Sequence, residues 1–296
     1  MKDEFRLRQN INLNSPEAVD LMVNKAKLLV NQLVSKRGND RPPFLPKEYS
    51  HLVNIKEILQ TELGETSGLL LKFHDGYVVK VNRSHYLVRQ RFSCAHEIGH
   101  ILFDELQLDN YVRKIEYRTY NPSKTNELRS KARENLCDIA AAELLMPETI
   151  FRKYIDTFGL SITSIEHLAK VFMVSSQATA RRIAEVSNEP CIMILWQPWP
   201  KNNPTMLIPS SGNRASNNSK ILALFRTVKA TSAMFNAYRN DAPVKTWKLF
   251  KDGMLQRRLP IEAKGFGSGN YRFVISFVYP DRGTQVTFGP LGGSRG

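Results

Sequence analysis

The sequence predicts an α+β chain in three parts: a helical stretch with a small sheet, a helix–turn–helix, and a β-rich end. Three observations carry this prediction. Apolar residues recur at helical spacing through most of the chain up to Ala184, and beyond Pro190 they change to short β-like runs. Two Leu- and Val-rich runs flank His74-Asp75-Gly76, the signature of a hairpin. Charge divides as the texture does. Of the net +14, residues 1–150 hold 22 Lys and Arg against 20 Asp and Glu, and residues 151–296 hold 20 against 8. A basic second half favours a polyanionic partner there, or serves solubility alone.

The elements follow in order. Residues 15–37 are expected to be helical: Ser15 can cap, Pro16 suits the first turn, and Val19, Met22, Ala26, Leu29, Val30 and Leu33 share one face before Gly38. Arg41 to Pro46 must be an extended connector, because its prolines fix φ and remove donors. A second helix is expected over about 48–62, then strands Gly68–Phe73 and Tyr77–Val81. Helices are expected over 89–106, about 127–146 (ended or kinked by Pro147) and 148–158. Thr163 to Ala184 reads as helix, tight turn, helix. Cys191–Trp196, Tyr271–Tyr279 and Gln285–Phe288 read as strands, and Lys201–Ser219, rich in Asn and Ser, as a mobile loop.

Several classes are excluded at this level. No run of eighteen apolar residues exists to span a membrane, and the charged opening Met1-Lys2-Asp3-Glu4 is no secretory signal. Three widely spaced cysteines, Cys94, Cys137 and Cys191, suit a reducing cytoplasm better than a disulfide framework.

His96-Glu97-Ile98-Gly99-His100 is an HExxH pattern. On a helix, residues four apart lie about 40° apart around the axis and about 6 Å along it, so both imidazoles address one point. That pair suits a divalent metal, zinc foremost, with manganese able to occupy the same donors. Glu97, turned about 100° away, can address a water instead of the metal, as a general base must. Phe92, Ala95, Ile98, Gly99, Leu102 and Phe103 make the surroundings apolar, so the histidines need partners. A third ligand is expected from 134–145. Glu134 is the coherent choice, with Asp138 one turn on to hold a ligand imidazole; Glu143, Cys137 and Asp138 stand as alternatives. Cys137 otherwise reads as a small buried hydrophobe. His74 and His85 could approach a cleft and stabilise an oxyanion, although surface positions explain them as well.

With Arg91-Phe92-Ser93-Cys94-Ala95-His96-Glu97-Ile98-Gly99-His100 and Glu134-Asn135-Leu136-Cys137-Asp138-Ile139-Ala140-Ala141-Ala142-Glu143-Leu144-Leu145-Met146-Pro147 in place, the chain resembles the ImmA/IrrE metallopeptidase family. Ala140 stands where members often carry Phe. The resemblance implies a zincin-like metallopeptidase domain over 1–160, a helix–turn–helix module over 161–189 and a GAF-like sensor or regulatory domain over 190–296. It further implies a cytoplasmic endopeptidase that cleaves a helix–turn–helix repressor and so derepresses a DNA-damage type of stress response. His96, His100 and Glu134 would bind metal, and Glu97 would be the general base.

In the second half, Ser175, Gln177, Arg181 and Arg182 are the candidate DNA-reading residues of a recognition helix, with Leu168, Val171, Val174 and Ile183 as its core. Lys245, Lys248, Lys251, Arg257, Arg258 and Lys264 mingle with Trp247, Phe250 and Phe266, a mixture suited to nucleic acid, while a GAF-like fold suits a small-molecule signal. The competing function is a DNA-binding or ligand-sensing regulator whose metal site is structural and does no proteolysis.

Overall fold

The computed structural model describes residues 11–106, 124–214, 227–252 and 255–285. Helix α1 (Pro16–Arg37) begins at Ser15, whose hydroxyl accepts the Ala18 N–H, and buries Ala18, Met22, Ala26, Leu29, Val30 and Leu33. The proline-rich connector stays extended and is clamped by Arg37, whose guanidinium donates to the Pro43 carbonyl and to both carboxylate oxygens of Glu48. A short helix α2 (Pro46–Tyr49) and one 3-10 turn (Ser50–Leu52) follow.

The expected helix over 48–62 is replaced by strand β1 (Ile55–Thr61), which runs parallel to β3. Val53, Ile55, Ile58 and Leu59 fit either period over so short a run; β-branched residues favour the strand, and pairing with β3 decides it. The hairpin forms as expected from β2 (Gly68–Phe73) and β3 (Gly76–Asn82), with Phe73 opposite Gly76 across His74-Asp75. The sheet order is β1-β3-β2, leaving β2 at an edge. Asn82, fully buried, fixes the approach to β2 by donating to the carbonyls of Gly64 and Thr66.

Helices α3 (Leu87–Leu106) and α4 (Lys124–Leu145) pack on each other, with α1 against both and β2 and β3 against α3. Pro147 ends α4: the next helix, α5, is Glu148–Phe158. The buried Glu143 carboxylate accepts the Glu148 N–H and caps α5. Two helices, α6 (Ser164–Phe172) and α7 (Ser176–Val186), meet in a tight turn where Met173 takes a left-handed φ of 53°.

The remaining strands are β4 (Ile192–Trp199), β5 (Met206–Arg214), β6 (Val228–Lys229), β7 (Val244–Asp252), β8 (Leu255–Phe266), β9 (Phe273–Val278) and β10 (Thr284–Gln285), with helix α8 (Ala233–Arg239) after β6. They form an antiparallel sheet ordered β10-β8-β9-β4-β5-β6, with β7 on the other side of β8. Ile192, Ile194 and Trp196 of β4 join Leu259, Ile261, Val274, Val278 and Phe235 in one core, and the buried Trp196 Nε1 donates to Ser276 Oγ at 2.9 Å. Strand β5 overturns the expectation of a loop across 201–219: Met206–Arg214 pairs along β4, and its backbone supplies ladder bonds that polar side chains do not prevent. Residues 215–219 of that stretch, and 286–288 of the last expected strand, lie outside the described residues.

By contacts the chain divides into two units. One holds the residues through Phe151 with Val171–Ser175, the other Arg152–Lys170 and the chain from Ser176. Among the described residues no helix is long and apolar enough to cross a membrane.

Candidate metal centre

Helix α3 presents His96 and His100 one turn apart, their rings edge-on at 4.8 Å between centroids. Helix α4 presents Glu134, Cys137 and Asp138, spaced i, i+3 and i+4 and therefore on one face. The helices can approach because of Gly99. A Cβ there would lie 2.8 Å from the Cys137 carbonyl oxygen and 3.0 Å from its Cα, backbone atoms that cannot yield. Arg133 fastens the same pair: its guanidinium donates to Asp104 at 3.0 Å and lies over the Phe103 ring. At the other end of α3 the buried Arg91 donates to the carbonyls of Phe44 and Met173, at 3.1 and 2.6 Å.

The donors converge. Ligand atoms of His96, His100 and Glu134 all lie within 4.8 Å of one another, the one such group of three among the described residues. His96 Nε2 is 3.1 Å from Glu134 Oε2, and His96 Nδ1 is 2.8 Å from Asp138 Oδ1. His100 is 1% exposed. Its Nε2 lies 3.6 Å from Glu134 Oε1, too far for a hydrogen bond, and has no hydrogen-bond partner among the described residues. Its Nδ1 is 3.2 Å from Cys137 Sγ.

A buried imidazole nitrogen without a partner is costly. Two imidazoles and a carboxylate around one point are also the donor set a divalent ion takes. The residues therefore fit a metal. Their mutual perturbation fits as well. Burial disfavours the His96 imidazolium, but hydrogen bonds to Asp138 and Glu134 outweigh it and push the group up to about 9. Burial likewise opposes ionisation of Glu134, yet His100 and His96 beside it hold the carboxyl well below its usual range.

Glu97 is buried, at 4% exposure, and packs against the edge strand: a Cβ on Gly68 would come within 2.9 Å of Glu97 Oε1. The other residues singled out in the sequence fall elsewhere. Glu143 is occupied in capping α5. His74 is exposed at the hairpin turn, and His85 lies half-buried between β3 and α3. Ser175 and Arg181 are exposed around α7, Gln177 is half-buried, and Arg182 is buried 3.7 Å from Glu185. Trp247 is 53% exposed, with Arg258 over its ring at 4.4 Å, whereas Phe266 is buried. Cys137 is the residue whose place at the centre sequence reasoning undervalued. The available signal was its spacing from Glu134, which puts it on the same face as Asp138. All three cysteines are buried and none is in a disulfide, and burial pushes the Cys94 thiol up to about 12 and the Cys191 thiol up to about 11.

Residues 56–184 match the family described as the IrrE N-terminal-like domain. The chain is 29% identical over 156 residues to the radiation response metalloprotease IrrE of Deinococcus radiodurans, covering 53% of this chain and 44% of that protein. It is 26% identical over 167 residues to the protein of the same name from Deinococcus deserti, covering 56% of each. To the metallopeptidase ImmA of Bacillus subtilis it is 29% identical over 136 residues, 44% of this chain and 70% of that one. The alignments thus span about half the length of the two IrrE relatives. A solved structure described as a Mycobacterium tuberculosis transcriptional regulator resembles the chain with a TM-score of 0.56 at 15% identity, over 89% of this chain and 80% of that one, a likeness of fold. The matched segment contains α3, α4 and every donor of the cluster. Through residues 56–184 the chain is similar to the IrrE N-terminal-like domain, and that segment carries its cluster of candidate ligands.

Proposed function

We propose that this chain is a metal-dependent endopeptidase that cleaves a helix–turn–helix transcriptional repressor and thereby releases a DNA-damage type of stress response. The observation that carries the reading is the convergence of His96, His100 and Glu134 on one point, with the buried carboxylate of Glu97 between the two histidines in sequence. His96, His100 and Glu134 would hold the ion, zinc foremost and manganese as the alternative. Bound there, such an ion polarises a peptide carbonyl and brings the pKa of water down to about 7. The chain's own groups then divide the work. Glu97 takes a proton on its carboxylate from the attacking water and returns it to the leaving amine. Asp138 accepts the Nδ1–H of His96, which turns the Nε2 of that ring toward Glu134. Strand β2, held by Asn82 and left without a side chain at Gly68, keeps the space beside Glu97 clear.

We assign the peptidase to a zincin-like domain over 1–160, a helix–turn–helix to 161–189 and a GAF-like sensor to 190–296. Support for the middle module comes from the left-handed Met173 between α6 and α7. Its Ser175, Gln177, Arg181 and Arg182 are the residues to test for DNA contact. A nucleic-acid or small-molecule signal is assigned to the basic last part, and a reducing cytoplasm fits three buried thiols.

The test is a cleavage assay on the helix–turn–helix repressor encoded nearest the gene. Wild type and Glu97→Gln are run side by side with zinc and with manganese, and products are read by mass spectrometry. One cut, made by wild type alone, is expected. No cut by metal-loaded wild type, together with tight binding to DNA or a ligand, would replace the peptidase with the regulator whose metal is structural.

A further inference from the structure

We propose that Cys137 positions His100 for metal binding: its Sγ accepts the Nδ1–H of the imidazole, so that the Nε2 lone pair faces Glu134. The inference rests on the metal-site reading above and adds to it a positioning residue on α4. Glu134 is flanked on its helix face by Cys137 on one side and Asp138 on the other, because positions i+3 and i+4 fall about 60° and 40° to either side of position i. Each flanking residue meets the Nδ1 of one histidine, Asp138 that of His96 at 2.8 Å and Cys137 that of His100 at 3.2 Å. The opposite nitrogen of each ring then turns to Glu134, at 3.1 and 3.6 Å. A ring nitrogen that must ligate needs its lone pair, so the proton belongs on Nδ1, and sulfur is the acceptor placed to receive it.

The chemistry of the spot explains the choice of thiol. Cys137 has no exposed surface and stands where Gly99 brings the two helices into backbone contact. A carboxylate or carboxamide would be too large there and would strand a second polar atom. A thiol is small, cheap to bury and still an acceptor. The two histidines are therefore held unequally, His96 by a charged oxygen and His100 by a neutral sulfur.

The experiment compares wild type, Cys137→Ser and Cys137→Ala, with zinc alone as the probe. Affinity is read by competition with a chromophoric chelator, and the His100 Nδ1–H resonance of each zinc-loaded protein is read by NMR. Cys137→Ala is expected to weaken zinc about 10- to 100-fold and to move that resonance upfield. Cys137→Ser, which restores an acceptor of similar size, should recover both. Unchanged affinity and resonance in Cys137→Ala would overturn the assignment while leaving the metal site intact. A loss that Cys137→Ser fails to recover would overturn it too, since packing rather than the hydrogen bond would be responsible. A wild type that takes up no zinc would overturn the metal-site reading and this inference with it.

Discussion

His96 shows how a single side chain at this centre couples protons to structure. Its imidazolium is favoured by Asp138 and Glu134, which places the folded-state value at about 9 against an ordinary 6.5. A raised value means the folded metal-free protein gains stability from the protonated ring. That gain is fully present below about pH 6.5 and is lost as the pH rises through about 9. If zinc binds through His96 as proposed, it displaces the same proton, so uptake at pH 7 is expected to release about one proton from His96, and none above pH 10. Calorimetric titrations of zinc in buffers of different ionisation enthalpy check this. Zinc binding at pH 7 with no net proton release would show that the Asp138 and Glu134 partners do not charge the ring.

At the scale of elements the decisive contact is the crossing of α3 and α4. Gly99 faces the backbone of Cys137, and a methyl group there would meet main-chain atoms rather than a mobile side-chain tip. Gly99→Ala is expected to force the helices apart, destabilising the protein by about 1–3 kcal/mol. It should also weaken zinc binding, because the donors of the two helices are set by that separation. Denaturant unfolding and chelator competition on the same variant measure both effects. A variant as stable as wild type, binding zinc equally well, would show that the crossing tolerates a wider spacing. The strands make the same point from the other side. Residues 55–61 carry apolar spacing that suits a helix, yet they form β1 because β3 offers a parallel partner.

At the scale of the molecule, the candidate ligands His96, His100 and Glu134 all lie in the unit that ends at Phe151 and takes in Val171–Ser175, while Trp196 and its neighbours build a core in the other. Two cores predict two thermal transitions. Zinc at about a hundred times its dissociation constant should add about 2.7 kcal/mol to the transition of the unit that binds it and leave the other where it was. Scanning calorimetry with and without zinc decides the matter. A single transition that rises with zinc would mean that the units unfold as one.

What the sequence determined by itself lies in patterns short enough to be read along one helix or one turn. The capped helix from Pro16 and the hairpin at His74-Asp75 follow from fixed helical or strand periods, which place residues three, four or two apart in known directions; the same periods put His96 with His100, and Glu134 with Asp138, on shared helix faces. Tertiary structure decided whatever depends on a partner distant in the chain. It made β1 a strand, drew Met206–Arg214 out of an expected loop onto β4, turned Glu143 to capping α5, and put Cys137 against His100. In each case the local signal was ambiguous or polar. A ladder of backbone hydrogen bonds, an unsatisfied helix end or a close helix crossing then supplied the free energy that settled it.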